Sequence, residues 1–333
     1  RGPGHGVALE QERAVVAADD LRRLLAGRGQ RVEREPALLG ELDRVELRRL
    51  NHIAPGQMPY KAPSGMNYDS GEFTAILDKA LMAADWQGFD KRKQESAARN
   101  KLRGRGIGSY LEVTGPPAKE YGGIRFETDG TITMLSGTLD YGQGHATPFA
   151  QVLSSQLGIP FERFRLLQGD SDQLKVGGGT GGSKSALVAS QAFLEAGDKL
   201  IEQGKQIAAH VLEAAAVDIE FTRGRFTIAG TDRGISIVEL ADKLRSGLRL
   251  PADVPQSLDV SHISDNPPFS FPNGCHVAEV EIDRDTGQIE VVRYFMVNDF
   301  GTVINPMLVA GQAHGGVIQG IGQALMERTV YDQ

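Results

Sequence analysis

Cysteine is almost missing from this chain: Cys275 is the only one in 333 residues. A lone thiol can neither close an internal disulfide nor build a four-cysteine zinc or iron–sulfur site, and such scarcity fits a reducing compartment. No stretch approaches 18 consecutive apolar residues, which excludes a membrane-spanning helix as a reading. Positive charge is in deficit: 36 Lys and Arg stand against 43 Asp and Glu, a net charge of −7. A nucleic-acid-binding surface is therefore disfavoured. The chain starts at Arg1 and shows no basic segment followed by an apolar one, so no export signal is expected. A Gly-x-Ser-x-Gly elbow is absent, which argues against an α/β-hydrolase. His145, His276 and His314 lie far apart without second ligands at helical spacing; each reads as structural rather than as a metal ligand. Residues 1–50 hold ten Arg but no Lys and no aromatic residue; the first of these are Tyr60 and Lys61.

Glycine is in excess, at 41 residues, well above the usual share of about 7%. The length predicts about two domains. The stretch Val15 to Leu25 is helical by propensity, with Gly27 and Gly29 as stops. Residues 52–70 form a Pro- and Gly-punctuated connection, a helix is expected over 73–85, and 89–105 reads as a solvated basic helix and a boundary. Strands follow. Residues 124–128 and 131–134 flank Asp129-Gly130 as a hairpin with a type I′ turn. A helix is expected over 145–157, a strand over 164–167 and a long helix over 184–216. A second hairpin spans 276–283 and 288–297, and a final helix covers 306–327. Uneven alternation with antiparallel hairpins gives an α+β fold. The expected division is 1–42, an atypical helical segment; 43–103, a connecting helical region; and 104–333, the main domain.

Three constellations carry chemistry. Asp140-Tyr141-Gly142-Gln143-Gly144-His145 falls at a strand-to-helix junction. Glycine lets a ligand approach the backbone there, the helix N-terminus suits an anion, and the Gln143 amide both donates and accepts. The alternative is a tight loop without a ligand. Gly177-Gly178-Gly179-Thr180-Gly181-Gly182-Ser183-Lys184-Ser185 places glycines, hydroxyls and a lysine ahead of a long helix, a pattern for phosphate. It is not a P-loop, because Ser183 separates the last glycine from Lys184; the alternative is a flexible linker. The third is the helix after Asn305-Pro306, where Gly311, Gly315, Gly316, Gly320 and Gly322 each cost roughly 1 kcal/mol against alanine. Close helix packing or a ligand against the backbone would compensate. Gln312, Gln319 and Gln323 share one face of that helix. Cys275 precedes a strand and reads as a small buried residue.

Taken in order, these segments resemble the molybdopterin-binding large subunit of the xanthine dehydrogenase / aldehyde oxidase / carbon monoxide dehydrogenase family. The matching stretches run from Asp43 to Pro55, Gly65 to Gly71, Leu139 to His145, Gly179 to Ser185, Gly274 to Asp283, and Asn298 through Ile304-Asn305-Pro306 to Gly320. Each is weak alone, and six in order are specific. The resemblance implies a molybdopterin-binding domain with mixed sheets and long glycine-rich helices, with residues 104–333 as the second such domain of the subunit, truncated. It also implies a molybdenum ion held by the pterin's sulfurs rather than by side chains, which accounts for the missing His/Cys cluster.

By that resemblance Gly142, Gln143 and Gly144 sit at the molybdopterin. Thr180, Gly181, Gly182, Ser183 and Ser185 hold its phosphate-bearing arm, a cytosine dinucleotide in many bacterial members. Gln312 and Gln319 contact the pterin, with Cys275 nearby, and Arg1 faces the substrate pocket. The implied reaction is hydroxylation of a small molecule, an aldehyde or N-heterocycle, with water as the oxygen source. Electrons would leave through [2Fe–2S] clusters and FAD on partner subunits, an iron–sulfur subunit and an FAD subunit, in a cytoplasmic hetero-oligomer. Three departures mark a C-terminal fragment, truncated at its end. The family's catalytic Glu has no match before Gln333, the upstream Phe loop is missing, and residues 5–42 do not resemble the family. Their composition fits a shifted reading frame. Gly2 stands in a loop where carbon monoxide-oxidising members carry cysteine, which disfavours that substrate. The alternatives are a degenerate copy that keeps the fold, a carbon monoxide dehydrogenase-like chain, and a simple phosphate-binding module.

Overall fold

Helix starts in this chain are marked by polar caps. Asp43 accepts the Val45 and Glu46 N–H groups at 2.8 and 3.2 Å, Ser236 and Glu239 form a reciprocal capping box, and Asn305 accepts the Leu308 N–H ahead of Pro306. Each cap satisfies N–H groups that the helix itself leaves open. The computed structural model describes residues 43–115, 119–265 and 269–332. The expected helical segment 1–42, with Arg1, lies outside them. In chain order the helices are α1 (Arg44–Asn51), α2 (Phe73–Ala83), α3 (Phe89–Ala98), α4 (Ala146–Leu157), α5 (Ser185–Leu212), α6 (Ile237–Arg245) and α7 (Pro306–Leu325). The strands are β1 (Tyr60–Lys61), β2 (Asn67–Tyr68), β3 (Lys101–Leu111), β4 (Glu120–Phe126), β5 (Ile132–Ser136), β6 (Phe164–Leu167), β7 (Ile219–Thr222), β8 (Arg225–Ile228), β9 (Gly234–Ser236), β10 (Val260–Ser264), β11 (Asn273–Asp283) and β12 (Ile289–Asp299).

These elements form two compact units. The first takes residues 43–113 and 270–301. Its sheet has the order β12-β11-β3, antiparallel throughout. The division expected at 103/104 falls inside β3, whose partner β11 comes from far later in the chain. One sheet face is covered by α1, α2 and the turn at Trp86. Val45, Ile76, Leu77, Ala80, Trp86, Cys275 and Val277 pack there. Further along the same face of β11, Glu279 and Glu281 are 1% and 3% exposed. Arg92 and Arg103 pair with Glu279 at 2.6 and 2.7 Å, while Ser96, Lys101 and Arg99 serve Glu281. Burial raises the Glu279 carboxyl, but the two guanidiniums outweigh it and hold the group below the usual carboxylate range. The Ser96 hydrogen bond and its cationic neighbours bring Glu281 down to about 2.

The second unit takes residues 114–269 and 302–332. Its main sheet has the order β10-β4-β5-β6. The β5–β6 pair is parallel and the other pairs are antiparallel. Phe149, Leu153 and Leu157 of α4 and Ala192, Phe193, Ala196 and Leu200 of α5 pack with Ile124, Ile132, Met134 and Phe164 of the sheet. Helix α5 lies close enough to β4 that a Cβ on Gly122 would stand 2.4 Å from the Ala192 carbonyl oxygen. A small sheet, β7-β8-β9, and α6 extend this core through Ile219, Phe226, Ile235 and Leu240. The hairpin at Asp129-Gly130 departs from the type I′ expectation. Gly130 alone is left-handed (φ +87°) and Asp129 is not, while Asp129 accepts the Thr131 N–H and hydroxyl. That side-chain turn holds Asp129 in ordinary backbone space, so a single glycine suffices.

Candidate functional site

Parallel pairing of β5 and β6 decides where the site lies. Ile132 is opposite Phe164 and Leu135 opposite Leu167, so the loops that follow the two strands leave the sheet side by side. The first, residues 137–145, leads into α4; the second, 168–184, leads into α5. Loops at the carboxyl ends of neighbouring parallel strands, each opening a helix, are a recurrent setting for ligands. They contain the first two constellations read from the sequence.

Asp140 shapes the first loop. Its carboxylate accepts N–H bonds from Gly142 (2.8 Å), Gly144 (3.1 Å) and His145 (2.7 Å). Partial burial pushes Asp140 up, and these three donors outweigh it, leaving the group below its ordinary value. Gly142 (φ +114°) and Gly144 (φ +75°) adopt backbone conformations open chiefly to glycine. The Gln143 side-chain oxygen accepts the Tyr141 N–H, which leaves its NH₂ as the group it can offer a ligand. Nothing lies within 4 Å of a Cβ built on Gly142.

The second loop is laced to the first. Leu139 N–H donates to Thr180 Oγ1 at 3.1 Å, Thr180 and Ser185 hydroxyls meet at 2.8 Å, and Gly179 N–H donates to the Gly137 carbonyl at 3.2 Å. Thr180 and Ser185 thus spend hydroxyl capacity on loop structure. Gly182 and Ser183 are left-handed, at φ +66° and +59°, and Gly181 is exposed with open space around it. Lys184, immediately before α5, is 9% exposed. Its Nζ stands 3.1 Å from a Cβ built on Gly178. Glu120 is its nearby counter-charge, yet the ammonium makes no ion pair or hydrogen bond among the described residues. A cation without an ion pair among the described residues, beside open glycine backbone at a helix N-terminus, is suited to an anion.

Helix α7 joins this site at its first turn. Leu308 Cδ2 lies 3.2 Å from a Cβ built on Gly144, and Asn305 donates to Gln151 of α4 at 2.9 Å. Gln312 and Gln319 are exposed further along α7, and their side chains make no hydrogen bonds among the described residues. Space is open around Gly311, Gly315, Gly316 and Gly320 of this helix, so no tight helix contact accounts for them among the described residues. Cys275 is placed in the core of the first unit, 1% exposed, where burial raises its thiol. His145 is buried against Phe149, His276 bonds Tyr294 and Asn298, and His314 is exposed. Among the described residues no group of three or more His, Cys, Asp or Glu is placed to hold a metal ion, and no helix is long and apolar enough to cross a membrane. The sequence reading did not single out Asp140, Glu120 or Gln168 as shaping the loops. For Asp140 a signal existed: an aspartate two and four residues ahead of glycines in a turn.

Comparison with known proteins gives these loops a context. A family model described as a molybdopterin cofactor-binding domain matches residues 79–333. The carbon monoxide dehydrogenase large chain of Hydrogenophaga pseudoflava is 34% identical over 87% of this chain and 38% of its own length. The nicotine 6-hydroxylase large subunit of Paenarthrobacter nicotinovorans is 32% identical over 86% of this chain and 37% of its own. Among solved structures, quinoline 2-oxidoreductase from Pseudomonas putida 86 superposes with a TM-score of 0.80 at 30% identity, covering 89% of this chain and 39% of that one. The chain thus spans about two fifths of the relatives it matches, with the same α+β architecture. It belongs to the molybdopterin-binding large-subunit family of the xanthine dehydrogenases, aldehyde oxidases and carbon monoxide dehydrogenases, and represents part of such a subunit.

Proposed function

We propose that this chain supplies part of the molybdopterin site of a molybdenum hydroxylase that inserts a water-derived oxygen into a small aldehyde or N-heterocycle. The observation that carries the reading is Lys184. A lysine that is 9% exposed, whose ammonium has no direct acidic partner among the described residues, set among glycines at the start of α5, fits the phosphate of a pterin cofactor. The residues present fit such a group. Lys184 and the backbone of Thr180, Gly181, Gly182 and Ser183 would receive its phosphates, with the cytosine dinucleotide form as the fuller version of that arm. The Gln143 NH₂ and the unbonded amides of Gln312 and Gln319 would serve the pterin edge. Bound there, the molybdenum–pterin group supplies two-electron redox chemistry. The chain's own part is to bind and orient it. Cys275 belongs to the core of its unit, Arg1 lies outside the described residues, and no residue of this chain is assigned as the catalytic base.

The N-heterocycle preference draws support from relatives named for nicotine and quinoline. The carbon monoxide dehydrogenase relative, at 34% identity, keeps carbon monoxide as the second reading. Several relatives are large chains or subunits of complexes; on that ground we assign [2Fe–2S] and FAD to partner subunits of a cytoplasmic hetero-oligomer. The test is elemental and pterin analysis of the protein purified from its own host. Near one molybdenum per chain is expected, and a folded chain without molybdenum or pterin overturns the proposal. Copper accompanying molybdenum would select the second reading. Full cofactor retention in both Gln143→Ala and Gln319→Ala would remove these residues from the site.

A further inference from the structure

We propose that Glu120 is the positioning residue of this site: its buried carboxylate ends a one-way hydrogen-bond chain that fixes both glycine loops in the form that receives the cofactor. The inference rests on the functional reading above, but its geometry stands independently. Glu120 begins β4, which runs antiparallel to β5. Gly122 is opposite Ser136, so Glu120 lies beneath the point where the first loop leaves the sheet. It is 2% exposed. Its Oε1 accepts from Gly137 N–H (2.6 Å), Tyr121 N–H (3.0 Å) and Ser136 Oγ (3.2 Å).

Counting protons sets the direction of the chain. Ser136 has one hydroxyl proton and gives it to the carboxylate. Its oxygen must then accept from the Thr138 hydroxyl at 2.8 Å and the Thr138 N–H at 3.2 Å. With its proton spent, Thr138 accepts from the Gln168 NH₂ at 2.7 Å. Gln168 cannot be flipped, because its oxygen takes the Asp140 N–H at 3.2 Å. Its NH₂ also approaches His145 Nδ1 at 3.3 Å, which sets that nitrogen as an acceptor and the imidazole as neutral. Burial depresses the imidazolium form in agreement. Ser136 and Thr138 are fully buried, so water does not stand in for a lost link. One Gln168 amide proton and the hydroxyl protons of Thr138 and Ser136 thus point in sequence towards Glu120.

The carboxylate reaches the second loop through Gly137. Gly137 donates its N–H to Glu120 and accepts the Gly179 N–H, and a Cβ on Gly137 would stand 2.4 Å from Gly177 Cα. Burial pushes the Glu120 carboxyl above its ordinary value, and these donors and Lys184, the same lysine we assign to the anion, oppose that shift only in part. Removing the negative charge leaves the Gly137 and Tyr121 N–H groups and the Ser136 hydroxyl facing a weaker acceptor, and both loops lose their common anchor.

The test uses the full-length subunit in its native complex, with Glu120→Gln, Thr138→Val and, as a control in the same core, Leu240→Ala. Hydrogen exchange is read at residues 137–145 and 177–182 and at β7–β9, and pterin release is followed from the fluorescence of its oxidised form. In Glu120→Gln both loops should exchange at least about tenfold faster and pterin should leave about tenfold faster, with β7–β9 unchanged. Thr138→Val, which cuts the chain and keeps the charge, should move the first loop in the same direction by less. Leu240→Ala should lower the melting temperature without a loop-specific change. Wild-type exchange and pterin release in Glu120→Gln would overturn the proposal, as would an equal loop effect in Leu240→Ala. Absence of pterin from the wild-type protein overturns the functional reading and the cofactor role of Glu120 together. The exchange data then still decide whether Glu120 anchors the loops.

Discussion

Glu279 and Glu281 show how a side chain can be costly alone and stabilising in company. Removing either buried carboxylate strands the cations gathered around it, and breaking one partner of such a pair costs about 3–5 kcal/mol. Glu279→Ala should therefore destabilise the first unit by that order. Trp86, the only tryptophan in the chain, reports on this unit, because the Arg105 guanidinium stacks 3.6 Å from its ring centre and the ring lies in the same core. Denaturant unfolding followed by Trp86 fluorescence measures the loss. The acid response follows from the same groups. Both folded carboxyls titrate below their unfolded value, Glu281 at about 2. Their stabilisation is complete above the ordinary carboxylate range and is lost as pH falls from there towards about 2. A Trp86-monitored acid titration should show the unit failing in that window, and Glu281→Gln should flatten the pH dependence. An unchanged acid midpoint in Glu281→Gln would disprove the assignment.

At the scale of elements, glycines divide by what surrounds them. Gly122 permits α5 to lie on β4. Gly122→Ala must push a methyl into the Ala192 carbonyl and should cost about 1–3 kcal/mol, read as a lowered unfolding midpoint. Gly181 has no neighbour within 4 Å of a built Cβ and no left-handed backbone. Gly181→Ala should leave stability within about 0.5 kcal/mol yet weaken cofactor retention, if the ligand lies against that backbone. The pair separates a packing glycine from a binding one. The elements themselves were largely legible. The β11–β12 hairpin, the β6 strand and the α2, α4, α5 and α7 helices follow from periodicity and from Gly and Pro punctuation. The β7–β9 sheet went unassigned, because its strands are only 3–4 residues long and owe their burial to α5 and α6 rather than to their own alternation.

For the whole molecule, the binding loops were visible as glycine clusters, but their meeting was not. Nothing local in the 140–145 and 177–185 segments says that they leave the sheet together; the parallel register of β5 with β6 does. Glu120 was invisible for the same reason. It stands beside Lys119 in an unremarkable polar stretch, and only the antiparallel return of β4 carries it under Gly137. Cys275 could be read as a small buried residue, and the fold does bury it. The glutamine face of α7 was legible from spacing alone, since residues seven apart return to the same side of a helix.

The sequence by itself determined the helices and hairpins, the ligand-ready glycine segments and, through six ordered motifs, the family. Those properties depend on short-range periodicity and on residue order, both of which are written along the chain. Tertiary structure alone decided that strands 32 residues apart pair in parallel, that two loops share one edge, and that a carboxylate is buried beneath them. Strand register and burial are set by long-range packing, and a buried charge is recognised only once its surroundings have closed over it.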